Sequence, residues 1–473
     1  MLQVEWLVDM KLTLILFLLF QFQICFSQLQ VPSFFGDHMI LQQNETVKFW
    51  GKDIEGTKIK IISSWGNQTK TTTNKLGFWS TKLKTPSAGG PYKITIIGSN
   101  VINIEDVLIG EVWISSGQSN MEMSLSGSSD GSFVENGLNE IVNSQNNNIR
   151  FFNVERNPSP KPINNLRGKW EISNPNNSGK FSAVSYFFAK KINNVLNVPV
   201  GIIVSSWGGS SGEAWTSDSA LKNINTESNV SISQNLHQVP SMLYNGMIHP
   251  LIGYNIRGFL WYQGESNRTR PFEYVNLISN MVSDWRSKWD IGKLPFYMAQ
   301  ISPFEYKEVN SAFLREAQLK ITKIVPNSEL IVTLDLGECH NIHPSKKKEV
   351  GERFAFTALA KNYGYSKISY KSAEPIEVNF DSKSAIITFS NKIHLVENEV
   401  FQNNFQLEGI DNKFYNAKVV ILDKYKPIQK LVVYSDKIIN PVSVRYGFHN
   451  CVKPTLFTVN GLPISSFRFS KEK

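Results

Sequence analysis

The segment Gly117-Gln118-Ser119-Asn120-Met121 carries the residue types of nucleophilic chemistry. It follows the apolar run Val107-Leu108-Ile109-Gly110-Glu111-Val112-Trp113-Ile114, which reads as a buried strand. Ser119 then stands where a strand gives way to a helix. In α/β sheets ligands lie outside the carboxyl ends of the strands, and a helix start can steady a developing anion. Polar strings of this kind also occur in ordinary loops, so a nucleophile at Ser119 needs partners elsewhere in the chain.

Three other segments offer them. Ser205-Ser206-Trp207-Gly208-Gly209-Ser210-Ser211-Gly212-Glu213-Ala214-Trp215 is rich in glycine, which lets backbone amides approach a ligand closely. One such N–H can serve as an oxyanion donor; a flexible turn is the plain alternative. Trp261-Tyr262-Gln263-Gly264-Glu265-Ser266-Asn267 ends a strand in an amide, a glycine and a carboxylate. Gln263 can donate its side-chain N–H to an anionic intermediate, or the segment is simply a polar strand terminus. Asp335-Leu336-Gly337-Glu338-Cys339-His340-Asn341-Ile342-His343-Pro344 brings two histidines beside two carboxylates. A histidine there can take the serine proton and later return it to the leaving group. In a competing metal reading, His340 and His343 share an ion with Glu338 or Asp335, which leaves the serine and glycine segments unexplained.

These segments need a scaffold, and the hydrophobic pattern supplies one. From about 105 to 365, apolar runs at 149–154, 198–204, 256–262, 295–301 and 330–334 alternate with helical patterns. Phe181, Val184, Phe188, Ile192 and Val195 recur at helical spacing, as do Tyr274, Leu277, Met281 and Trp285, and then Leu314, Ala317, Ile321 and Ile324. Alternating strand and helix implies a mostly parallel sheet covered on both faces. Residues 28–104 and 366–473 instead show short β-branched runs broken by Gly, Asn and Pro, as expected for two small β-sandwich domains.

The bulk properties narrow the class. The chain has 473 residues, 41% hydrophobic and 12% aromatic, which suits several globular domains. The net charge of +9 is scattered, and the densest run, Lys346-Lys347-Lys348, reads as a solvated helix start. Without a basic stripe interleaved with aromatics, nucleic acid is not the expected partner. Met10-Lys11 and the apolar stretch from Leu12 to Phe20 read as a secretory leader (residues 1–27) cleaved after Ser27, with lipoprotein anchoring at Cys25 as the rival. The expected location is periplasmic or extracellular, with no integral membrane span. Of three cysteines, Cys339 and Cys451 then remain, and export permits but does not require their pairing.

Taken together, the motifs resemble the sialate O-acetylesterase family within the wider SGNH hydrolases. The likeness runs through Phe35-Gly36-Asp37-His38-Met39-Ile40-Leu41-Gln42-Gln43, then Gly110-Glu111-Val112-Trp113 to Met123, then Tyr244-Asn245-Gly246-Met247-Ile248-His249-Pro250-Leu251. It continues through Trp261 to Asn267, Ile342-His343-Pro344, Val444-Arg445-Tyr446-Gly447, Gly461-Leu462-Pro463 and Phe467-Arg468. The resemblance implies an α/β fold of the flavodoxin-like, three-layer α/β/α SGNH type, with the β-sandwich domains on either side. It implies Ser119 as nucleophile and His343 as general base. The backbone N–H groups of Ser119 and Gly208, with the Gln263 side chain, would form the oxyanion hole. Many SGNH enzymes carry an aspartate two or three residues before the histidine. Here those places hold His340 and Asn341, so the orienting acid falls to Glu338 or Asp335, or to a backbone carbonyl. Gln118, Trp207 and Glu265 are expected at the substrate, with Trp207 and Trp215 available to stack on sugar rings. His249, next to Pro250, suits a structural helix end.

The implied reaction is a two-step acyl transfer that removes O-acetyl groups from sialic acid. It requires neither a metal nor an organic cofactor. Acetylxylan or another acetylated glycan is the alternative substrate, and a catalytically silent carbohydrate-binding protein is the alternative class.

Overall fold

The computed structural model describes residues 28–222, 224, 234–396, 404–422 and 429–471. The leader expected over 1–27 lies outside the described residues. Among the described residues, no helix is long and apolar enough to cross a membrane.

One long strand organises the molecule. β1 (Val101–Gly117) begins antiparallel to the strand Gly89–Ile97 and ends in the middle of a second, parallel sheet. Between these duties it kinks at Asp106, whose φ is +52°. The buried Arg150 fixes the kink, donating from Nη2 to Asp106 Oδ1 (2.9 Å). The border expected at 104/105 thus falls inside a continuous strand, and the N-terminal β segment shares one core with the hydrolase sheet: Phe34, Phe35 and Phe49 belong to the same cluster as Phe259, Trp261 and Trp285.

The parallel sheet adds β2 (Asn146–Asn153), β3 (Trp170–Ser173), β4 (Val200–Ser206), β5 (Gly258–Tyr262), β6 (Phe296–Ala299) and β7 (Ser328–Ile331). Its spatial order is β7-β6-β5-β1-β4-β2-β3, parallel throughout except for the β2–β3 edge pair. The hydrophobic pattern anticipates every parallel member and misses β3, a four-residue edge strand. Without β2 and β3, the order of the remaining five is 2-1-3-4-5, that of flavodoxin-like doubly wound sheets.

Strand residues divide strictly between two cores. Ile114, Phe259, Trp261, Phe296 and Met298 face α3 (Pro271–Trp289) and α4 (Ala312–Ile324). Trp113, Leu260, Tyr262, Tyr297 and Ala299 face α2 (Ala183–Leu196) and α5 (Lys347–Asn362). Continuous burial of this kind is what strands covered by helices on both faces require.

The Glu111 carboxylate welds the N-terminal segment to this layer. It accepts from Gln42, Gln43, Arg257 and Tyr363 at 2.7–3.1 Å. The C-terminal region forms two four-stranded antiparallel sheets around a core of its own that includes Ile387, Leu407, Leu431, Val444 and Tyr446. It docks on α4 through the buried Arg315, which donates to the carbonyl of Gly447 (3.0 Å) and to Ser466 Oγ (3.0 Å). A disulfide between Cys339 and Cys451 ties it to the loop that carries His343.

That bridge closes a loop of 112 residues. Replacing both cysteines by serine should lower unfolding stability by about 2–5 kcal/mol. Urea denaturation of the two proteins checks this; equal midpoints would contradict it.

Candidate active site

Ser119 owes its exposure to Gly117. At φ +139°, a Cβ on Gly117 would lie 2.1 Å from the Tyr262 carbonyl, so only glycine lets β1 end this close to β5. The chain then turns, and Gln118 N donates to that carbonyl (2.9 Å). Ser119 is the one part-exposed residue between Glu111 and Met121. It starts α1 (Ser119–Glu122), a single turn whose first N–H groups have no intrahelical acceptor.

Asn120 fixes this turn to the rest of the site. Its Nδ2 donates to Glu265 Oε1 (2.7 Å) and to the carbonyl of Ile342 (3.0 Å), and its Oδ1 accepts from Lys347 Nζ (2.6 Å). The residue after Ser119 is therefore bonded to the residue before His343, across 222 positions of sequence. This contact brings the serine turn and the histidine loop together.

The carboxylate on His343 is Asp130, at 2.6 Å from Nδ1. Asp130 accepts from Ser128 Oγ and from the Ser132 N–H (3.0 Å), and these hydrogen bonds, the Ser128 one foremost, hold its carboxyl well below the usual range. An ionised carboxylate only accepts, so Nδ1 carries a proton, and in the neutral imidazole the lone pair is on Nε2. The two acids expected beside His343 have other partners. Asp335 pairs with Arg353 (2.7 Å). Glu338 accepts from Ser345 N and Oγ (2.7 Å each) and from Asn341 (3.2 Å), which rigidifies the loop. Asn341, in turn, accepts from the His343 N–H (2.9 Å). The groups weighed for a metal diverge as well: His340 is exposed and 3.7 Å from Glu305. Among the described residues no three His, Cys, Asp or Glu side chains converge on one point.

Gly208 does lie beside Ser119, since a Cβ on it would sit 3.3 Å from Ser119 Cβ. Its N–H donates to Glu122 Oε2 (2.7 Å). Gln263 is turned away from any oxyanion. Fully buried, its Nε2 donates to Asn267 Oδ1 (2.7 Å) and the Ser210 carbonyl (3.1 Å), and its Oε1 accepts from Tyr274 (2.9 Å).

The residues expected at the substrate also require correction. Gln118 is buried and accepts through Oε1 from the N–H groups of Gly264 (3.2 Å) and Ser266 (3.4 Å). Glu265 is buried against Asn120 rather than open to a sugar. Trp215 is a core residue with no exposed surface. Trp207 is half-buried, and its ring already packs on Arg156 (5.1 Å) and His237 (5.5 Å). His249 bonds the Ile163 carbonyl (2.9 Å), a structural contact.

Two site residues escaped the sequence reading. Asp130 sits in the Ser/Gly-rich loop 124–132, where nothing in the pattern sets it apart. Lys347 belongs to the run read as solvated, yet it is 1% exposed. Burial pushes its ammonium down to about 7, against the pull of Glu265, Glu338 and Asp130. Burial likewise pushes the Glu265 carboxyl up, against its bonds to Asn120 and the charges of Lys347 and His343.

A doubly wound sheet with a serine at one strand end, and a carboxylate-bonded histidine on a loop tied to the turn of that serine, holds the residue types that ester hydrolysis uses. The comparisons specify the kind. Residues 109–360 match the family model described as "Carbohydrate esterase, sialic acid-specific acetylesterase", and the chain belongs to this family of carboxylic ester hydrolases. It is 27% identical to human (Homo sapiens) sialate O-acetylesterase over 426 residues, covering 81% of this chain and 78% of that protein. The mouse (Mus musculus) protein is 26% identical over 452 residues, covering 81% of each chain. The crystal structure of a carbohydrate acetylesterase from Xanthomonas citri superposes with a TM-score of 0.84 at 30% identity, covering 94% of this chain and 100% of that one.

The buried ammonium gives a pH signature. Lys347 loses its proton near pH 7 when folded and near 10.5 when unfolded. Between those values the unfolded chain binds more protons, so this group makes stability rise with pH. Lys347→Met should lack that rise, and its stability relative to wild type should fall between pH 6.5 and 9 in urea titrations. Identical pH slopes for the two proteins would contradict the assignment.

Proposed function

We propose that the protein is an exported esterase of the SGNH type that removes O-acetyl groups from sialic acid through a Ser119–His343–Asp130 relay. The observation that carries the mechanism is the Asp130–His343 contact at 2.6 Å, on a loop tied to the Ser119 turn through Asn120. Ser119 Oγ attacks the acetyl carbonyl while His343 Nε2 takes its proton. Asp130 holds the ring and stabilises the imidazolium without itself becoming protonated. The tetrahedral oxyanion is received by the backbone N–H groups of Ser119 and Gly208. His343 then protonates the departing sugar alkoxide. Water, deprotonated by the same nitrogen, attacks the acetyl-Ser119 ester and releases acetate.

The substrate assignment draws on the family and on the sialate O-acetylesterases that align with 81% of this chain. Export is supported by the Cys339–Cys451 bridge, because such bonds persist in oxidising compartments.

Ser119→Ala should reduce acetate release from O-acetylated sialic acid about 10³-fold or more with folding intact. Asp130→Asn should cost about 100-fold, and Glu338→Gln much less. Full activity in Ser119→Ala would overturn the mechanism. Faster release from acetylated xylan than from the sialic acid ester would overturn the substrate assignment.

A further inference from the structure

A carboxylate occupies one of the amides that the reaction needs. Glu122 Oε2 accepts from Gly208 N (2.7 Å), while Glu122 Oε1 accepts from Arg156 Nε (3.0 Å) and Nη2 (2.7 Å). The position a Cβ would take on Gly208 is 3.1 Å from Glu122 Oε2 and 3.3 Å from Ser119 Cβ, so the carboxylate and the serine both border the same face of Gly208. A negative charge there opposes the oxyanion and competes for its donor. Glu122 must therefore leave Gly208 before the tetrahedral intermediate can use that N–H.

Arg156 determines what makes it leave. Its guanidinium packs on the Trp207 ring, which His237 stacks against in turn, and it is 53% exposed. The ring contact gives the guanidinium a support that does not depend on Glu122. A substrate bearing a carboxylate can bind this guanidinium, and its charge then repels Glu122 from the same spot. A neutral sugar ester has no such lever and must displace Glu122 unaided.

We infer that Glu122 is a specificity-determining residue: it covers the Gly208 amide in the free enzyme, and an acidic sugar uncovers it by taking over Arg156. This rests on the esterase reading above and adds to it a reason for favouring anionic over neutral acetyl esters.

The test compares acetate release from O-acetylated sialic acid and from its carboxyl methyl ester, which keeps the sugar and removes the charge. Wild type should prefer the free acid. Glu122→Ala should raise kcat/KM for the methyl ester about 10-fold, the worth of one charged hydrogen bond, and change that for the free acid much less. Glu122→Gln, which keeps the shape and the acceptor without the charge, should fall between. Arg156→Gln should lower kcat/KM for the free acid alone. Thermal melts verify folding of each variant. An acid-to-ester ratio unchanged in Glu122→Ala, or an equal loss on both substrates, would overturn the inference. If Ser119→Ala retained hydrolysis, the esterase reading itself would fail; if hydrolysis depends on Ser119 and only the ratio stays fixed, the Glu122 assignment alone fails.

Discussion

Asn120 uses both of its side-chain N–H donors and its amide oxygen inside the protein. Two donors go to Glu265 and Ile342 and the acceptor goes to Lys347, at 2.6–3.0 Å. Those partners come from the β5 exit, the histidine loop and the start of α5. Acyl transfer demands that a hydroxyl and an imidazole separated by more than half of the hydrolase region meet within tenths of an ångström. A single planar amide, buried at 1% exposure, is a short and stiff link for that purpose. A buried amide that lost one of these partners would leave an unsatisfied polar group, so the link is also self-enforcing.

The flanking β regions brace the same assembly. Glu111 collects Gln42 and Gln43 from the N-terminal segment and Arg257 and Tyr363 from the hydrolase layers onto the strand that ends at Ser119. The C-terminal sheets hold the other partner, because Cys451 grips the loop of His343 through Cys339. Each half of the proposed catalytic pair thus has its own β region fixing its element, which accounts for motifs far from the chemistry, such as Leu41-Gln42-Gln43.

How much of this was legible depended on whether a residue's role is local. The six parallel strands follow from apolar runs, and α2, α3 and α4 from 3.6-residue periodicity, since both are patterns within one segment. Ser119 and His343 stand at strand exits, a position that adjacent sequence reveals. Asp130 was invisible because its partner is 213 residues away and its own loop has no periodicity. Gln263 misled for the opposite reason. An amide at a strand end looks available, and only the fold brings Ser210, Asn267 and Tyr274 around it. Lys347 looked solvated because a lysine run usually is, but α5 starts with that face against Asn120.

The charges around Ser119 divide by depth. Glu265 and Lys347 are buried, and burial drives both toward their neutral forms, the carboxyl up and the ammonium down to about 7. A neutral or mutually cancelling pair beneath the serine can position it without imposing a field on the reaction. Asp130 is different: its side chain is 45% exposed, and hydrogen bonds from Ser128 and Ser132 keep it ionised. That is where a permanent negative charge helps in the proposed relay, in which the imidazole beside it becomes cationic. Glu122 is the remaining carboxylate near the serine, on the side where negative charge must develop rather than be present beforehand. Its pairing with Arg156 makes that charge tolerable in the resting protein, and the same pairing makes it responsive to whatever anion arrives.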